Sequence, residues 1–291
     1  MTRLLRRRFL VVGLVGMACL LFVMDSCFQF RMSKTEVDHY FADKPHKGVL
    51  HSFESGYRRV NYVQVGDAEL PLVVFVHGSP GSLSAFIDFL SDTALLKRAQ
   101  LISIDRPGFG SSNFGNAEPS LQKQSAYIKS ILEEVKGKRP VILVGHSMGG
   151  PVIARTAMDY PDMVDGLVLV AGSIDPDLEP NEWYRPPLAT PFLRWLLPRS
   201  FRASNQEIYH LKPELQEMLP LWPKIKARTI VIQGGKDDLV SPGNADFAKR
   251  MLVNAPVEFM LVPDMNHFVP WNHPELIREA VLRLLKEEGK N

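Results

Sequence analysis

Predominantly apolar runs recur along the chain at 72–76, 101–104, 141–144, 166–170, 229–232 and 257–262, each ended by polar residues, glycine or proline. Between them, the stretches near 83–96, 121–136, 149–160, 244–253 and 274–288 carry mixed apolar and polar residues that read as amphipathic helices. Runs without alternation predict strands buried on both faces. Their regular interleaving with helices predicts an α/β protein with a mostly parallel central sheet and helices on both sides. Positions 58–66 instead alternate, with Val60, Tyr62 and Val65 on the apolar side, as an opening strand does. Residues 31–57 are polar without a clear period and predict a tether with one short helix.

Two stretches break this rhythm. From 171 to 226 the chain is rich in proline and holds Trp183, Trp195 and Trp222. An insertion of about fifty residues between two strands is too long for an ordinary connection. At the other end, 9–24 is apolar throughout, follows Arg3, Arg6, Arg7 and Arg8, and stops at Asp25. That pattern predicts an N-terminal membrane anchor or signal segment over 1–30, then a tether over 31–57 and one domain over 58–291. The arginines would remain cytoplasmic, which puts the domain outside the cytoplasm on a single-pass anchor. Two alternatives stay open: cleavage with secretion or release to the periplasm, and lipidation at Cys19 in Gly16-Met17-Ala18-Cys19.

Composition removes other classes. The 291 residues have a net charge of +2, and no basic stripe with interleaved aromatics suggests nucleic acid as a partner. Cys19 and Cys27 are the two cysteines, both near the apolar segment, so neither a disulfide framework nor a thiolate metal site is expected.

The chemistry concentrates at Gly145-His146-Ser147-Met148-Gly149, which follows the apolar run 141–144 and precedes a predicted helix. In that setting the pentapeptide reads as a nucleophile elbow. Ser147 sits on a sharp strand-to-helix turn, and the Met148 N–H lies at a helix N-terminus, where it can face an oxyanion. Four further motifs follow the strand runs: His77-Gly78-Ser79-Pro80-Gly81-Ser82, Asp105-Arg106-Pro107-Gly108-Phe109-Gly110, Gly234-Gly235-Lys236-Asp237 and Asn266-His267-Phe268.

In this order the five motifs resemble the α/β-hydrolase superfamily, over about Val60 to Leu285. The resemblance implies the serine branch with a helical cap, similar to esterases and proline iminopeptidases, the cap being the insertion at about 172–227. It implies Ser147 as nucleophile, His267 as general base, and Asp237 as the acid that orients the base. Gly234, Asp237 and Val240 fit the family's spacing around the acid; Asp238 and Asp175 are the alternatives. Asn266 departs from the family's usual glycine. The second oxyanion donor is expected at the Ser79 N–H, with His77 supporting that loop, and His146 packing or hydrogen-bonding beside the site. Trp183, Trp195 and Trp222 are expected to wall the substrate pocket, since aromatics give large rigid apolar surfaces.

A serine nucleophile argues against epoxide or halide chemistry, where relatives use aspartate, and favours acyl transfer to water without metal or cofactor. The expected substrate is a small acyl compound, a carboxylic ester first. Amides or peptides, lactones, C–C bonds, haloperoxidase-like oxidation and a non-catalytic binding role are the alternatives.

Overall fold

In the computed structural model, which describes residues 12, 13, 16, 19–26, 29–55 and 58–288, the apolar runs become strands of one sheet. In chain order these are β1 (Val49–Ser55), β2 (Arg58–Val65), β3 (Leu72–Val76), β4 (Gln100–Asp105), β5 (Val141–His146), β6 (Gly166–Val170), β7 (Arg228–Gly234) and β8 (Val257–Val262). The spatial order is β1-β2-β4-β3-β5-β6-β7-β8. β1, β2 and β4 pair antiparallel, and from β4 across to β8 every pairing is parallel. Every residue of β3, β4, β5 and β6 is buried, which is why these strands read as predominantly apolar runs.

Among the described residues from 31 onward, the α-helices are α1 (Lys34–Tyr40), α2 (Thr93–Leu96), α3 (Leu121–Val135), α4 (Gly149–Asp159), α5 (Arg185–Ala189), α6 (Arg199–Met218), α7 (Gly243–Met251), α8 (Val269–Asn272) and α9 (Pro274–Glu288). Two apolar cores flank the sheet. One joins α3, α4, α7 and the lower part of the insertion through Ile128, Val152, Leu215 and Phe247; the other joins α1, the 83–96 segment and α9 through Val37, Phe86 and Val281.

Two expectations change, and a third, the N-terminal anchor, falls largely outside the described residues. The 83–96 stretch is not one helix but short turns ending in α2. The Ser82 hydroxyl accepts the Ser84 N–H at 3.2 Å, and Asp92 accepts those of Ala94 and Leu95 at 2.8 and 3.2 Å, so polar side chains restart the backbone. The 31–57 stretch is more than a tether. Ser33 and Glu36 form a capping box for α1, Val37 and Phe41 are buried, and β1 extends the sheet as its edge strand. Of the proposed anchor, most residues, including the four arginines, lie outside the described residues, while 19–26 is helical. Among the described residues no helix is long and apolar enough to cross a membrane. The end of this segment rests on α6: Asp25 accepts the Arg199 backbone N–H at 2.7 Å and its Nε–H at 2.9 Å, and the Phe30 ring lies 6.2 Å from that of Phe201.

Candidate active site

Ser147 stands between the end of β5 and the start of α4 with φ +53°, a left-handed conformation that a non-glycine residue adopts only under constraint. The constraint is visible: the Ser147 N–H donates to the Val170 carbonyl at 2.9 Å, and its own carbonyl accepts from Gly150 at 2.9 Å. A Cβ on Gly145 would come within 2.4 Å of the Gly149 carbonyl oxygen, and one on Gly149 within 2.1 Å of that of Val76. The two glycines therefore let the turn press against its neighbours. Met148 forms the N-cap of α4, placing its N–H at the positive end of the helix.

His267 lies on the loop between β8 and α8. Its Nδ1–H donates to Asp237 Oδ2 at 2.8 Å, the tautomer that leaves Nε2 with a free lone pair. Asp237 is buried, and its other oxygen accepts the N–H groups of Leu239 and Val240 at 3.0 and 2.8 Å. Burial raises the carboxyl, but the bonds from His267 and those two N–H groups more than offset it and hold Asp237 below the usual carboxylate range. Asp238 is exposed at the cavity rim. Asp175 pairs with Arg250 at 3.5 Å and accepts the Asp177 N–H. Asn266 uses its carbonyl to accept the Phe268 N–H at 3.0 Å and the Asn272 amide at 3.1 Å, shaping the loop by side-chain bonding where a glycine was expected. His146 donates to the His267 carbonyl at 2.9 Å; burial, then the neighbouring His267, push its pKa down to about 3, so it remains neutral.

Beyond β3, His77 is fully buried. Its Nε2 accepts the Arg106 N–H at 3.0 Å and its Nδ1–H donates to the Gly78 carbonyl at 2.6 Å, so neither nitrogen is free to serve as a base. Burial, then the charge of Arg106, hold it well below the usual histidine range. Arg106 in turn forms a fully buried pair with Glu207 of α6, at 2.6 Å. Neither Glu207 nor its partner Gln124 was legible in the sequence, since nothing in a polar helical segment shows which carboxylate turns inward.

A cavity of about 570 Å³ opens between the sheet's edge and the insertion. Ser79, Ser147, Met148 and His267 lie on its core side, with Tyr184, Leu188, Leu197, Phe201, Ile208 and Leu211 opposite. A second, of about 560 Å³, shares Ser79, Ser147, Leu239 and His267 and is otherwise walled by Phe30, Ala85, Phe268 and Trp271. The two meet at the serine. The expected tryptophan wall is absent from both linings. Trp222 is fully buried and packs on Phe247, 5.4 Å between ring centroids, because it serves the core beneath the insertion; Trp183 and Trp195 are 83% and 51% exposed. Smaller side chains from α5 and α6 take their place.

Residues 71–207 match the family model described as the alpha/beta hydrolase fold. A 105-residue stretch is 33% identical to an sn-1-specific diacylglycerol lipase of Mus musculus, covering 36% of this chain and 34% of that protein. The chain is also 26% identical to a 2-hydroxy-6-oxononadienedioate/2-hydroxy-6-oxononatrienedioate hydrolase of Paraburkholderia phymatum, covering 78% of this chain and 91% of that one. Among solved structures, a membrane phospholipase A described as a bacterial virulence factor superposes with a TM-score of 0.64 at 18% identity, covering 100% of both chains; at that identity the likeness is one of fold. The chain spans about a third of the length of the first curated relatives it matches.

Proposed function

Because this chain belongs to the α/β-hydrolase superfamily, we propose that it is a serine hydrolase cleaving a carboxylic ester through an acyl-enzyme on Ser147. The observation that carries this reading is the Asp237-bound His267 lining the same two cavities as a serine held on a strained turn. His267 Nε2 takes the Ser147 proton as the oxygen attacks the carbonyl carbon, and then gives it to the departing alcohol. Water, deprotonated by the same nitrogen, releases the acid. The N–H groups of Met148 and Ser79 would hold the oxyanion, and Asp237 keeps the imidazole in the required tautomer. No cofactor takes part in these steps.

Two chambers meet at the nucleophile, one mostly apolar and the cap-side one carrying acidic groups beside an apolar wall. They suit an ester with an apolar acyl group and a sizeable alcohol, the insertion acting as the cap over one of them. The named activity of one relative is diacylglycerol hydrolysis, which supports an acyl-lipid class. Cleavage of a C–C bond in a dicarboxylate is the rival reading suggested by the longer match. The charge in the cap-side cavity opposes it: Glu179, Glu182 and Asp238 line it against Arg185, which is itself paired with Glu182. A doubly negative substrate would enter against net negative charge. Hydrolysis rates on matched esters, amides, lactones and diketo acids test the class. Esters of medium or long acyl chains should be cleaved fastest; preference for the amide or the diketo acid would refute the ester reading.

We further propose that the N-terminal apolar segment anchors the protein in a membrane, with the catalytic domain outside the cytoplasm. Apolar side chains at 9–24 favour lipid, whereas Arg3, Arg6, Arg7 and Arg8 resist crossing it. The full chain should remain in the membrane pellet after alkaline extraction. Release into the supernatant would exclude an integral anchor, and a diacylglyceryl group on Cys19 would replace it with lipidation.

A further inference from the structure

Arg106 presents five N–H donors in a rigid fork, and all five are used. Nε–H goes to the His77 carbonyl at 2.9 Å and one Nη2–H to the Gly78 carbonyl at 3.0 Å. One Nη1–H goes to Gln124 Oε1 at 2.9 Å. The remaining two meet Glu207, Nη1 at 2.6 Å from Oε1 and Nη2 at 3.1 Å from Oε2. Gln124 closes the network by donating to Glu207 Oε1 at 2.9 Å and to the Glu118 carbonyl at 2.7 Å. The guanidinium thus holds the backbone of the 77–79 loop on one side and a carboxylate of the insertion on the other.

Both charged side chains are at most 1% exposed, and a pair this deep is a costly way to gain stability alone. Its geometry supplies something a hydrophobic contact would not, a fixed orientation for two carbonyls. Fixing the His77 and Gly78 carbonyls fixes the peptide planes leading to the Ser79 N–H. Ser79 Oγ is itself buried without a well-formed hydrogen bond, yet lies near enough to Glu207 to favour its charge. The same insertion helix reaches the core a second time, where Glu214 accepts the Leu121 N–H at the start of α3 at 2.7 Å. The insertion helix and the loop beside the serine are therefore joined by charge-assisted bonds, not by apolar packing alone.

We infer that Glu207 is a positioning residue for the oxyanion hole: through Arg106 it ties the seating of the insertion helix to the orientation of the Ser79 N–H. This rests on the reading of Ser79 and Met148 as oxyanion donors. An insertion displaced from the core would lose the bidentate grip on Arg106 and leave the loop unset. The full hole would exist only with the helix seated over the cavity.

The test compares the full chain with Glu207→Gln, which keeps shape but weakens the grip. Since removing one oxyanion donor outright costs about 10²- to 10³-fold, a loosened one should lower kcat by roughly 10- to 100-fold with KM within about threefold. An alkyl trifluoromethyl ketone, which forms a tetrahedral adduct on the serine, should weaken in parallel, while an unreactive ether analogue of the ester binds as before. Glu207→Asp, read in the same way if the glutamine variant does not fold, should fall between. A lower melting temperature with wild-type kcat and ketone affinity, in either variant, would reduce the pair to a structural tie and overturn the inference. Equal weakening of ketone and ether would also overturn it, since that is general damage to the cavity. If the wild type itself neither cleaves esters nor reacts with the ketone, the hydrolase reading has failed instead.

Discussion

Fluorophosphonate should label the wild-type protein on Ser147 and leave Ser147→Ala unlabelled, and ester hydrolysis by that variant should fall on the order of 10⁴-fold or more. Four serines make this a discriminating experiment, because Ser79, Ser173 and Ser204 line the same cavity. Ser173 gives its hydrogen to Glu179, and Ser79 faces a carboxylate rather than an imidazole. A carboxylate held in an ion pair is a weaker base than the free Nε2 of a histidine. Labelling is therefore expected on one peptide only, as read by mass spectrometry after digestion. Alanine at φ +53° is as constrained as serine, so the variant should unfold within a few degrees of wild type. Labelling that persists in the variant, or that maps to Ser79, Ser173 or Ser204, would remove Ser147 from the mechanism.

The parts of the site that were legible are those whose chemistry is local. Gly145 and Gly149 flank Ser147 within five residues, and the need for both is a matter of one turn pressed against its neighbours. Strands β3, β5 and β6 were legible because burial on both faces leaves no polar residue to confuse the pattern. β1 was not, since an edge strand with one wet side reads as Val-Leu-His-Ser-Phe-Glu-Ser, and Val49 is 53% exposed. The insertion was legible as an insertion but not in its inward face. Trp183 and Trp222 look alike in sequence, yet one is 83% exposed and the other fully buried. Arg106 and Glu207 are 101 residues apart, and only tertiary packing makes them partners. Phe30, from beyond the expected domain boundary, lines the site for the same reason.

Replacing Asp237 by asparagine should lower kcat by on the order of 10³- to 10⁴-fold, whereas Asp238→Asn should change it by no more than about two- to threefold. The two residues are adjacent, so the contrast isolates geometry from local charge. Asp237 is 5% exposed and accepts the His267 Nδ1–H at 2.8 Å; Asp238 is exposed. An asparagine at 237 could turn its amide toward His267, which would then keep its proton on Nε2 and present no lone pair to Ser147. The substitution also has a signature in stability. Burial raises the Asp237 carboxyl, but His267 and the Val240 and Leu239 N–H groups lower it further, so its folded pKa lies under the unfolded value of 3.8. A depressed carboxylate stabilises the fold fully at pH above that unfolded value, and the contribution is lost as pH falls through the folded one. Wild type should therefore be more stable than Asp237→Asn at neutral pH, and the gap should narrow below about pH 4. Denaturation at a series of pH values, beside kcat for both variants, measures this. A larger kcat loss in Asp238→Asn would move the acid by one residue, and a stability gap that widens toward acid would contradict the assigned direction of the Asp237 shift.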